Sequence, residues 1–377
     1  MSGNLATKAD AGDDALVRFH DVSKSFNGAG YAVDRLNLDI RKGEFLTLLG
    51  PSGSGKTTTL MMLAGFEAPS AGDIRTQQGS MLALPPHRRD FGVVFQSYAL
   101  FPHLSILDNV AFPLSVRGVA NAVARSKAAE VLKLVRLESF GSRRPHELSG
   151  GQQQRAALAR AIVFDPILVL MDEPFGALDK SLREQMQVEI RQIHRRLGNT
   201  MVSVTHDQSE ALTMSDRVAV FNEGRLEQVG TPEDVYERPA NAFVASFIGD
   251  SNMAPARVEG FVDGRCILRL AQGDSVTATA RQRLAEGDEV LLSIRPERMR
   301  LGGSPSPGDN CFCATVMERI YTGERVIAIL SVLGQNDWTV KLAPGLAGSL
   351  KVGDQLDVGW SAEDCSAFRS TAVLKVG

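Results

Sequence analysis

Two glycine-rich segments of the sequence have residue types suited to binding phosphate. Residues 50–57 read Gly-Pro-Ser-Gly-Ser-Gly-Lys-Thr and match the phosphate-loop pattern G-x-x-x-x-G-K-[ST] in full. In residues 148–155, Ser149 and two glycines lead directly into a polar, helix-forming run. Free N–H groups and a hydroxyl at the start of a helix form an anion site. One nucleotide must therefore account for two phosphate-binding loops.

The first loop lies in the strand–loop–helix context that its pattern requires. An apolar run at residues 45–49 precedes it, and residues 58–64 favour a helix. The glycines let backbone N–H groups wrap the phosphates, Lys56 supplies a charge between the terminal phosphates, and the Thr57 hydroxyl can ligate Mg²⁺. This context disfavours the alternative, a glycine turn that happens to precede Lys-Thr. The predicted nucleotide contacts are Gly50, Pro51, Ser52, Gly53, Ser54, Gly55, Lys56, Thr57 and Thr58.

Polar side chains also follow three other apolar runs of strand length. Asp172 and Glu173 end the run at residues 167–171, while Gln96 and His206 each follow a similar run. Strand ends of an open α/β sheet face its ligand crevice. We expect Asp172 to hold Mg²⁺ through water and Glu173 to deprotonate the attacking water. An amide at Gln96 suits Mg²⁺ or water, and His206 can donate to the γ-phosphate. Solvated strand ends and structural polar groups are the alternatives for each residue taken alone.

Together these segments resemble the nucleotide-binding subunit of an ATP-binding-cassette (ABC) transporter. Every motif of that family is present in its usual order. The motifs are the Walker A loop at residues 50–57, the Q-loop Gln96, the signature at residues 148–152, the Walker B end at Asp172 and Glu173, the D-loop at residues 176–179 and the switch His206. The resemblance implies an α/β P-loop NTPase with a helical subdomain, and Mg²⁺-dependent hydrolysis of ATP.

The resemblance also implies a homodimer in which each ATP lies between one subunit's phosphate loop and the signature of the other. Closure on ATP and reopening after hydrolysis would then move the helices of partner subunits in the membrane. The implied catalytic residues are Lys56, Gln96, Glu173 and His206, the implied metal ligands are Thr57, Gln96 and Asp172, and the implied contacts to ATP from the signature and D-loop are Ser149, Gly150, Gly151, Gln152 and Asp179.

An aromatic residue near the N-terminus of such subunits usually stacks on the adenine. Phe26 falls at that position, and Tyr31 is a weaker candidate. Both are also candidates for ordinary core residues.

Composition favours a motor subunit over a pore or a nucleic-acid binder. The chain has 377 residues, 44% of them hydrophobic, which allows two or more domains. No apolar run approaches the roughly 18 to 20 residues of a membrane helix, and residues 1–15 are too polar for a signal peptide. A net charge of −3 argues against a dedicated nucleic-acid partner. Cys311 and Cys313 lack a second close pair or nearby histidines, so reduced structural thiols are expected at all four cysteines.

The chain divides into three predicted parts. Residues 1–15 are a polar tail predicted to be disordered, and residues 16–241 form the ATPase, with its helical subdomain at about 98–161. In residues 242–377, short alternating runs between turns predict small antiparallel barrels of an OB-like kind. Gly-Asp pairs at residues 287–288 and 353–354 each open a strand-like run, which indicates two related halves.

The C-terminal part resembles the TOBE regulatory domain of importers, through residues 292–297. With one cassette and no apolar span, this resemblance implies an importer ATPase at the cytoplasmic face of the bacterial inner membrane. It would work beneath two permease subunits fed by an extracytoplasmic solute-binding protein. Residues 96–104 are unusually apolar, and in the family this region receives the coupling helix of the permease. An ordinary core loop is the alternative.

Residues 180–183 and 243–253 look most like the spermidine/putrescine branch of these importers. Iron, phosphonate, sugar and amino-acid cargoes stay open, because the ATPase does not contact the cargo. Two other classes are a transport-independent ABC ATPase of repair or translation and a purely regulatory ATP-binding protein. Hydrolysis stimulated by nucleic acid would indicate the first of these, and binding without turnover the second.

Overall fold

The computed structural model of the chain describes residues 14–28, 30–176, 178–302, 309–346, 348 and 350–370. These residues form two compact units, which divide between Pro232 and Glu233. The sequence had suggested a division after residue 241. The first strand begins at Ala15, one residue inside the predicted tail, and residues 1–13 of that tail lie outside the described residues.

The first unit combines strands and helices. In chain order its elements are β1 (Ala15–Lys24), β2 (Val33–Arg41), β3 (Phe45–Leu49), α1 (Lys56–Ala64), β4 (Ala71–Thr76), β5 (Gly79–Ser80), β6 (Phe91–Val94), α2 (Ile106–Val116), α3 (Asn121–Leu134), α4 (Gly150–Ile162), β7 (Leu168–Asp172), α5 (Lys180–Leu197), β8 (Thr200–Thr205), α6 (Gln208–Met214), β9 (Arg217–Asn222) and β10 (Arg225–Gly230).

A six-stranded sheet in the order β10-β9-β3-β8-β7-β6 forms the centre of this unit. All its neighbours are parallel except β10, which pairs antiparallel with β9. Parallel strands are covered on both faces, which explains why β3 and β7 are continuous apolar runs. In β7, Leu168 and Leu170 pack into one core cluster, whereas Val169 and Met171 pack into another. The carboxyl ends of β3, β6, β7 and β8 therefore meet at one edge.

Two further layers complete the first unit. Strands β1, β2, β4 and β5 form an antiparallel sheet in the order β2-β1-β4-β5. Helices α2, α3 and α4 bury apolar residues such as Val110, Ala128 and Leu158 against one face of the central sheet. None of the helices in the described part of the chain combines the length and the apolar character that crossing a bilayer requires.

The second unit consists mainly of antiparallel strands. After α7 (Pro232–Glu237), which begins at the last residue of the first unit, its elements are α8 (Ala242–Phe247), β11 (Asn252–Val262), β12 (Arg265–Leu270), β13 (Ser275–Ala280), β14 (Glu289–Ile294), β15 (Arg300–Leu301), β16 (Asp309–Tyr321), β17 (Val326–Val332), β18 (Gln335–Leu342), β19 (Gln355–Ser361) and β20 (Cys365–Arg369). Strands β11, β12, β13, β20 and β14 close a barrel, and the order β15-β19-β16-β17-β18 forms a five-stranded sheet.

The two Gly-Asp turns make the same hydrogen bonds in the barrel and in the sheet. Gly287 N donates to Val258 O at 2.8 Å, and Gly353 N donates to Val316 O at the same distance. Both glycines have left-handed φ angles, +86° and +91°. The ladder of β11 with β12 shifts register just after Val258, as the ladder of β16 with β17 does after Val316. The two halves thus share a repeated local structure.

Two buried asparagines join the halves to each other. Asn252 accepts from Thr339 N and donates to Thr339 O, both at 2.7 Å. Asn310 makes the equivalent pair with Thr277, at 2.8 and 2.9 Å. Each asparagine lies at the start of the first long strand of its half and binds a strand of the other half. The amide satisfies backbone groups that the sheets leave unpaired.

Candidate functional site

The phosphate loop connects the end of β3 to the start of α1. Gly55 has a φ angle of +96°, and a Cβ atom there would lie 2.3 Å from Ala32 O, so only glycine fits. No side chain caps α1, which leaves the N–H groups of its first turn pointing into the loop. A helix terminus of this kind attracts phosphate. Thr58 lies half-buried in this first turn, whereas Ser52 and Gly53 are exposed.

The Lys56 ammonium lies inside this loop. Its Nζ donates to Gly50 O at 2.9 Å and to Pro51 O at 2.7 Å, with Ser54 Oγ at 3.3 Å. Burial lowers the pKa of Lys56, an effect that the charges of Glu173 and Asp172 oppose. Two backbone carbonyl groups of the loop thus hold the positive charge of Lys56 inside it.

The hydroxyl of Thr57 meets the first carboxylate of the Walker B end. Thr57 Oγ1 donates to Asp172 Oδ1 at 3.1 Å, although the two residues are far apart in sequence. Burial raises the pKa of Asp172, the Thr57 hydrogen bond lowers it, the neighbouring Glu173 raises it and Lys56 lowers it. A hydroxyl and a carboxylate side by side are hard oxygen donors of the kind that Mg²⁺ prefers.

Glu173 lies at the meeting point of three strand ends. Its Oε2 accepts from Gln96 Nε2 at 3.2 Å, and its Oε1 lies 3.1 Å from His206 Nδ1. Its φ angle of +43° is left-handed, which is uncommon for a residue with a side chain, and its backbone N–H donates to Val204 O at 3.0 Å. The structure therefore brings Gln96, Glu173 and His206 together, and places Lys56 and Thr57 beside them through Asp172.

A contact that the sequence motifs did not indicate holds the loop of His206. Arg183, on α5, pairs with the carboxylate of Asp207 at 2.9 Å. Asp207 also caps α6 by accepting from Ser209 N at 2.8 Å. The residue that follows His206 is thereby fixed from two sides. The only earlier signal was that Arg183 belongs to one of the segments resembling the spermidine/putrescine branch.

The signature loop lies at the start of α4, apart from the phosphate loop of the same chain. Ser149 is the N-cap, and a capping box joins it to Gln152 through bonds of 2.9 and 3.4 Å. A Cβ at Gly151 would lie 3.1 Å from Leu182, on α5. Within the described residues, no hydrogen bond joins the signature to residues 50–57. Ser149 and Gly150 are exposed.

The remaining predicted contacts lie in the D-loop and near the N-terminus. Asp179 caps α5 by accepting from Leu182 N at 3.0 Å, while Ala177 of the D-loop lies outside the described residues. Phe26 and Tyr31 are each 60% exposed, so neither is the core residue that the sequence had left open. Lys24 Nζ lies 4.8 Å from the centre of the Phe26 ring, which keeps this ring beside a positive charge.

Next to Phe95, the residue before the segment at residues 96–104, the structure has a partly apolar groove, which we call the lateral groove; its residue Phe66 packs on Phe95 with ring centres 5.9 Å apart, and residues 96–104 themselves do not line it. Phe101 of that segment packs on Phe112 with ring centres 4.6 Å apart, and Phe112 is 40% exposed. The groove itself is lined by residues that the sequence analysis did not single out, including Phe66, Phe91, Val93, Val116, Arg117 and Phe164. Phe66 and Val116 are 51% and 69% exposed, although no sequence pattern separates them from core residues.

Comparison with known proteins accounts for both units. Residues 33–176 match the model of the ABC transporter family, and residues 292–368 match the TOBE domain. The spermidine/putrescine import ATP-binding protein PotA of Rubrobacter xylanophilus is 46% identical over 366 residues, covering 94% of this chain and 94% of the relative. The protein of the same name from Trichodesmium erythraeum is 43% identical over 360 residues, covering 93% of this chain and 94% of that relative.

Solved structures match the first unit. The dimeric structure of MJ0796, a bacterial ABC transporter cassette, is 34% identical, with a TM-score of 0.52, and covers 58% of this chain and 99% of its own. The structure of cbiO1 from Clostridium perfringens, part of the transporter complex cbiONQ, is 27% identical, with a TM-score of 0.55 over 59% of this chain and 91% of its own. The chain therefore belongs to the ABC transporter family, as an ATP-binding subunit that hydrolyses ATP and carries a C-terminal TOBE domain.

Proposed function

We propose that this chain is the ATP-hydrolysing subunit of an importer for polyamines of the spermidine and putrescine type. The observation that carries the proposal is the extent of the likeness to import proteins of that name. Identities of 43 to 46% continue over 92 to 94% of the chain, and so through the TOBE domain as well as the ATPase. Importers for other cargoes are the runner-up, because in this family the ATP-binding subunit does not contact the cargo.

In this proposal Glu173 is the general base. Its carboxylate accepts the proton of the attacking water, while Gln96 and His206 hold its two oxygens in place. Lys56 stabilises charge on the terminal phosphates from within the loop. Thr57 and Asp172 would hold Mg²⁺, with Gln96 near it, and the ion would neutralise charge on the phosphate oxygens. The strand edge thus supplies a base, two groups that orient it and a carboxylate that would help to hold a cation.

Two copies of the chain complete each ATP site. The exposed signature residues Ser149 and Gly150 make no bond to their own phosphate loop, so they are free to face a second subunit. In this arrangement Gly151, Gln152 and Asp179 contribute to the same ATP site, and Phe26 stacks on the adenine. The relative MJ0796 has been solved as a dimer, which agrees with this arrangement. ATP then closes the dimer, and hydrolysis reopens it.

The lateral groove receives a cytoplasmic helix of the permease. Its exposed apolar residues Phe66 and Val116 are suited to the apolar face of an amphipathic helix, and exposed Phe112 lies one turn before Val116 on α2. One groove on each copy accommodates two permease subunits. The chain then lies at the cytoplasmic face of the bacterial inner membrane, and an extracytoplasmic binding protein delivers the polyamine.

Uptake by the host bacterium tests the cargo. We would delete the chromosomal copy of this chain and measure entry of radiolabelled spermidine and putrescine, with a labelled sugar, an amino acid and ferric iron as controls. Polyamine uptake should fall at least about tenfold, and plasmid-borne wild-type chain, but not the Glu173→Gln variant, should restore it. Unchanged polyamine entry with loss of a control solute would assign the chain to that other cargo.

A further inference from the structure

The segment just after Gln96 has an unusual backbone. Tyr98 and Ala99 are consecutive non-glycine residues with left-handed φ angles, +60° and +45°. Each such residue costs about 1–3 kcal/mol and persists only where surrounding contacts fix it. Something outside the segment must therefore hold it in this shape.

Arg160, on α4, makes the contacts that hold it. Arg160 Nη1 donates to Ala99 O at 2.7 Å, and Nη2 donates to Tyr98 O at 2.8 Å. The planar guanidinium presents two parallel donors, which a lysine ammonium cannot reproduce. The same guanidinium carbon lies 5.7 Å from the centre of the Phe101 ring. Burial lowers the pKa of Arg160, which reflects how far the side chain is enclosed.

A second helix holds the rest of the segment. Asn109, on α2, is fully buried and accepts from Phe101 N at 2.8 Å while its amide group lies 3.1 Å from Phe101 O and 3.3 Å from Leu104 O. Phe101 in turn packs on Phe112 beside the lateral groove. The Tyr98 hydroxyl donates to Pro174 O at 3.5 Å, just after β7, but the backbone of the segment from Tyr98 to Leu104 is held by side chains of the helical layer.

The same segment lies between the two halves of the ATP site. Two residues before Tyr98, Gln96 donates to the base Glu173. At the other end of α4, ten residues before Arg160, Gly150 belongs to the signature, about 15 Å away along a rigid helix. The groove reaches this segment through α2, because Val116 lines the groove while Asn109 and Phe112 of the same helix contact Phe101. A displacement of α2 at the groove can thus reach Gln96 through the segment, and the signature through Arg160 and α4.

We propose that Arg160 is a positioning residue that couples occupation of the lateral groove to both halves of the ATP site. The inference rests on the proposed docking of the permease in that groove. Arg160 touches neither the phosphate loop nor the residues around Glu173, so its role is transmission of movement rather than chemistry. Without the two hydrogen bonds from Arg160, the strained backbone at Tyr98 and Ala99 relaxes, and α4 no longer moves together with the segment.

The test compares three variants as isolated ATPase and in the complete complex with permease subunits in proteoliposomes. Arg160→Met removes both hydrogen bonds, and Arg160→Lys keeps the charge. Arg155→Met is the matched control, because Arg155 lies on the same helix and forms a 2.9 Å ion pair with Glu189, away from the segment. ATP turnover is measured without and with binding protein loaded with spermidine, together with ATP affinity and the unfolding temperature.

For Arg160→Met we expect basal turnover and ATP affinity within about twofold of wild type, and stimulation by loaded binding protein reduced about tenfold or more, a typical size for coupling between sites. Arg160→Lys should recover part of the stimulation, and Arg155→Met nearly all of it. Stimulation retained in Arg160→Met would overturn the role, as would a parallel loss of basal turnover. If Arg160→Met does not fold, the Arg160→Lys variant decides the test, provided that its unfolding temperature equals that of the wild type. Full stimulation of Arg160→Lys would then refute the inference. A wild-type complex without stimulation would instead refute the proposed docking itself.

Discussion

Replacing Glu173 by glutamine isolates the chemistry of the base from the shape of the site. The two side chains have the same size, and the remaining oxygen can still accept from Gln96 Nε2, now at 3.2 Å. The new amide group faces His206 Nδ1, now 3.1 Å from the carboxylate. The geometry therefore survives, while the ability to accept a proton from water is lost.

The expected effect of Glu173→Gln follows from that loss. A positioned general base contributes about 10²- to 10⁴-fold to a rate, so turnover should fall by that factor, which is about 3–5 kcal/mol in the barrier. ATP affinity should stay within a few fold, because Lys56 and the phosphate loop are untouched. Phosphate release at saturating Mg²⁺ and ATP gives the rate, and gel filtration with ATP should show a dimer that persists.

Asp172→Asn is the control for loss of one negative charge at the same strand end. It removes the carboxylate that meets Thr57 Oγ1, so we expect a weaker dependence on Mg²⁺ and poorer nucleotide binding. Glu173→Gln should show neither. Wild-type turnover in Glu173→Gln would refute its assignment as the base, and a loss of ATP binding there would show that Glu173 supports the nucleotide instead.

Three further predictions use other parts of the chain. Ser149→Arg and Lys56→Ala should each be inactive alone. A one-to-one mixture of the two should regain about a quarter of wild-type turnover if the sites are independent, because half of the dimers then hold one intact composite site. If dimers form in the mixture but turnover does not recover, the site is not shared between subunits. Asn310→Ala should lower the free energy of unfolding of the second unit by about 2–3 kcal/mol in denaturant titration, because two backbone groups of Thr277 lose their partner, with no change in ATP affinity. In the native protein a thiol reagent should modify exposed Cys313 quickly, whereas burial, which raises the pKa of both thiols, should protect two cysteines until unfolding, namely Cys266 and Cys365.

The residues around the base were predictable because each one follows an apolar run. Runs buried on both faces are readable as parallel strands, and parallel strands end at one edge, so Gln96, Glu173 and His206 had to be neighbours. The phosphate loop could be predicted from even less information, because its glycines and Lys56 are close together in sequence. These predictions depend only on the period of the apolar pattern and on the rules of sheet connection.

Other features could not be predicted, because they join residues that no local pattern relates. The two hydrogen bonds from Arg160 to the carbonyls of Ala99 and Tyr98 span 61 and 62 positions. The link between Asn310 and Thr277, in the other half, spans 33 positions. The exposure of a side chain was equally hard to predict. Phe26 is apolar, as core residues are, and only the packing around it shows that its ring is exposed and accessible to a ligand.

The sequence was enough to predict the class of reaction, because the spacing of glycine, lysine and strand-end carboxylates allows few other uses. It also predicted a second phosphate-binding loop at the start of a helix. Only the folded structure shows that, within the described residues, no hydrogen bond joins this loop to residues 50–57, and that Arg160 ties its helix to the strained segment after Gln96. The physical reason is that chemistry resides in local groups, whereas coupling between sites depends on long-range contacts that form only when the chain packs.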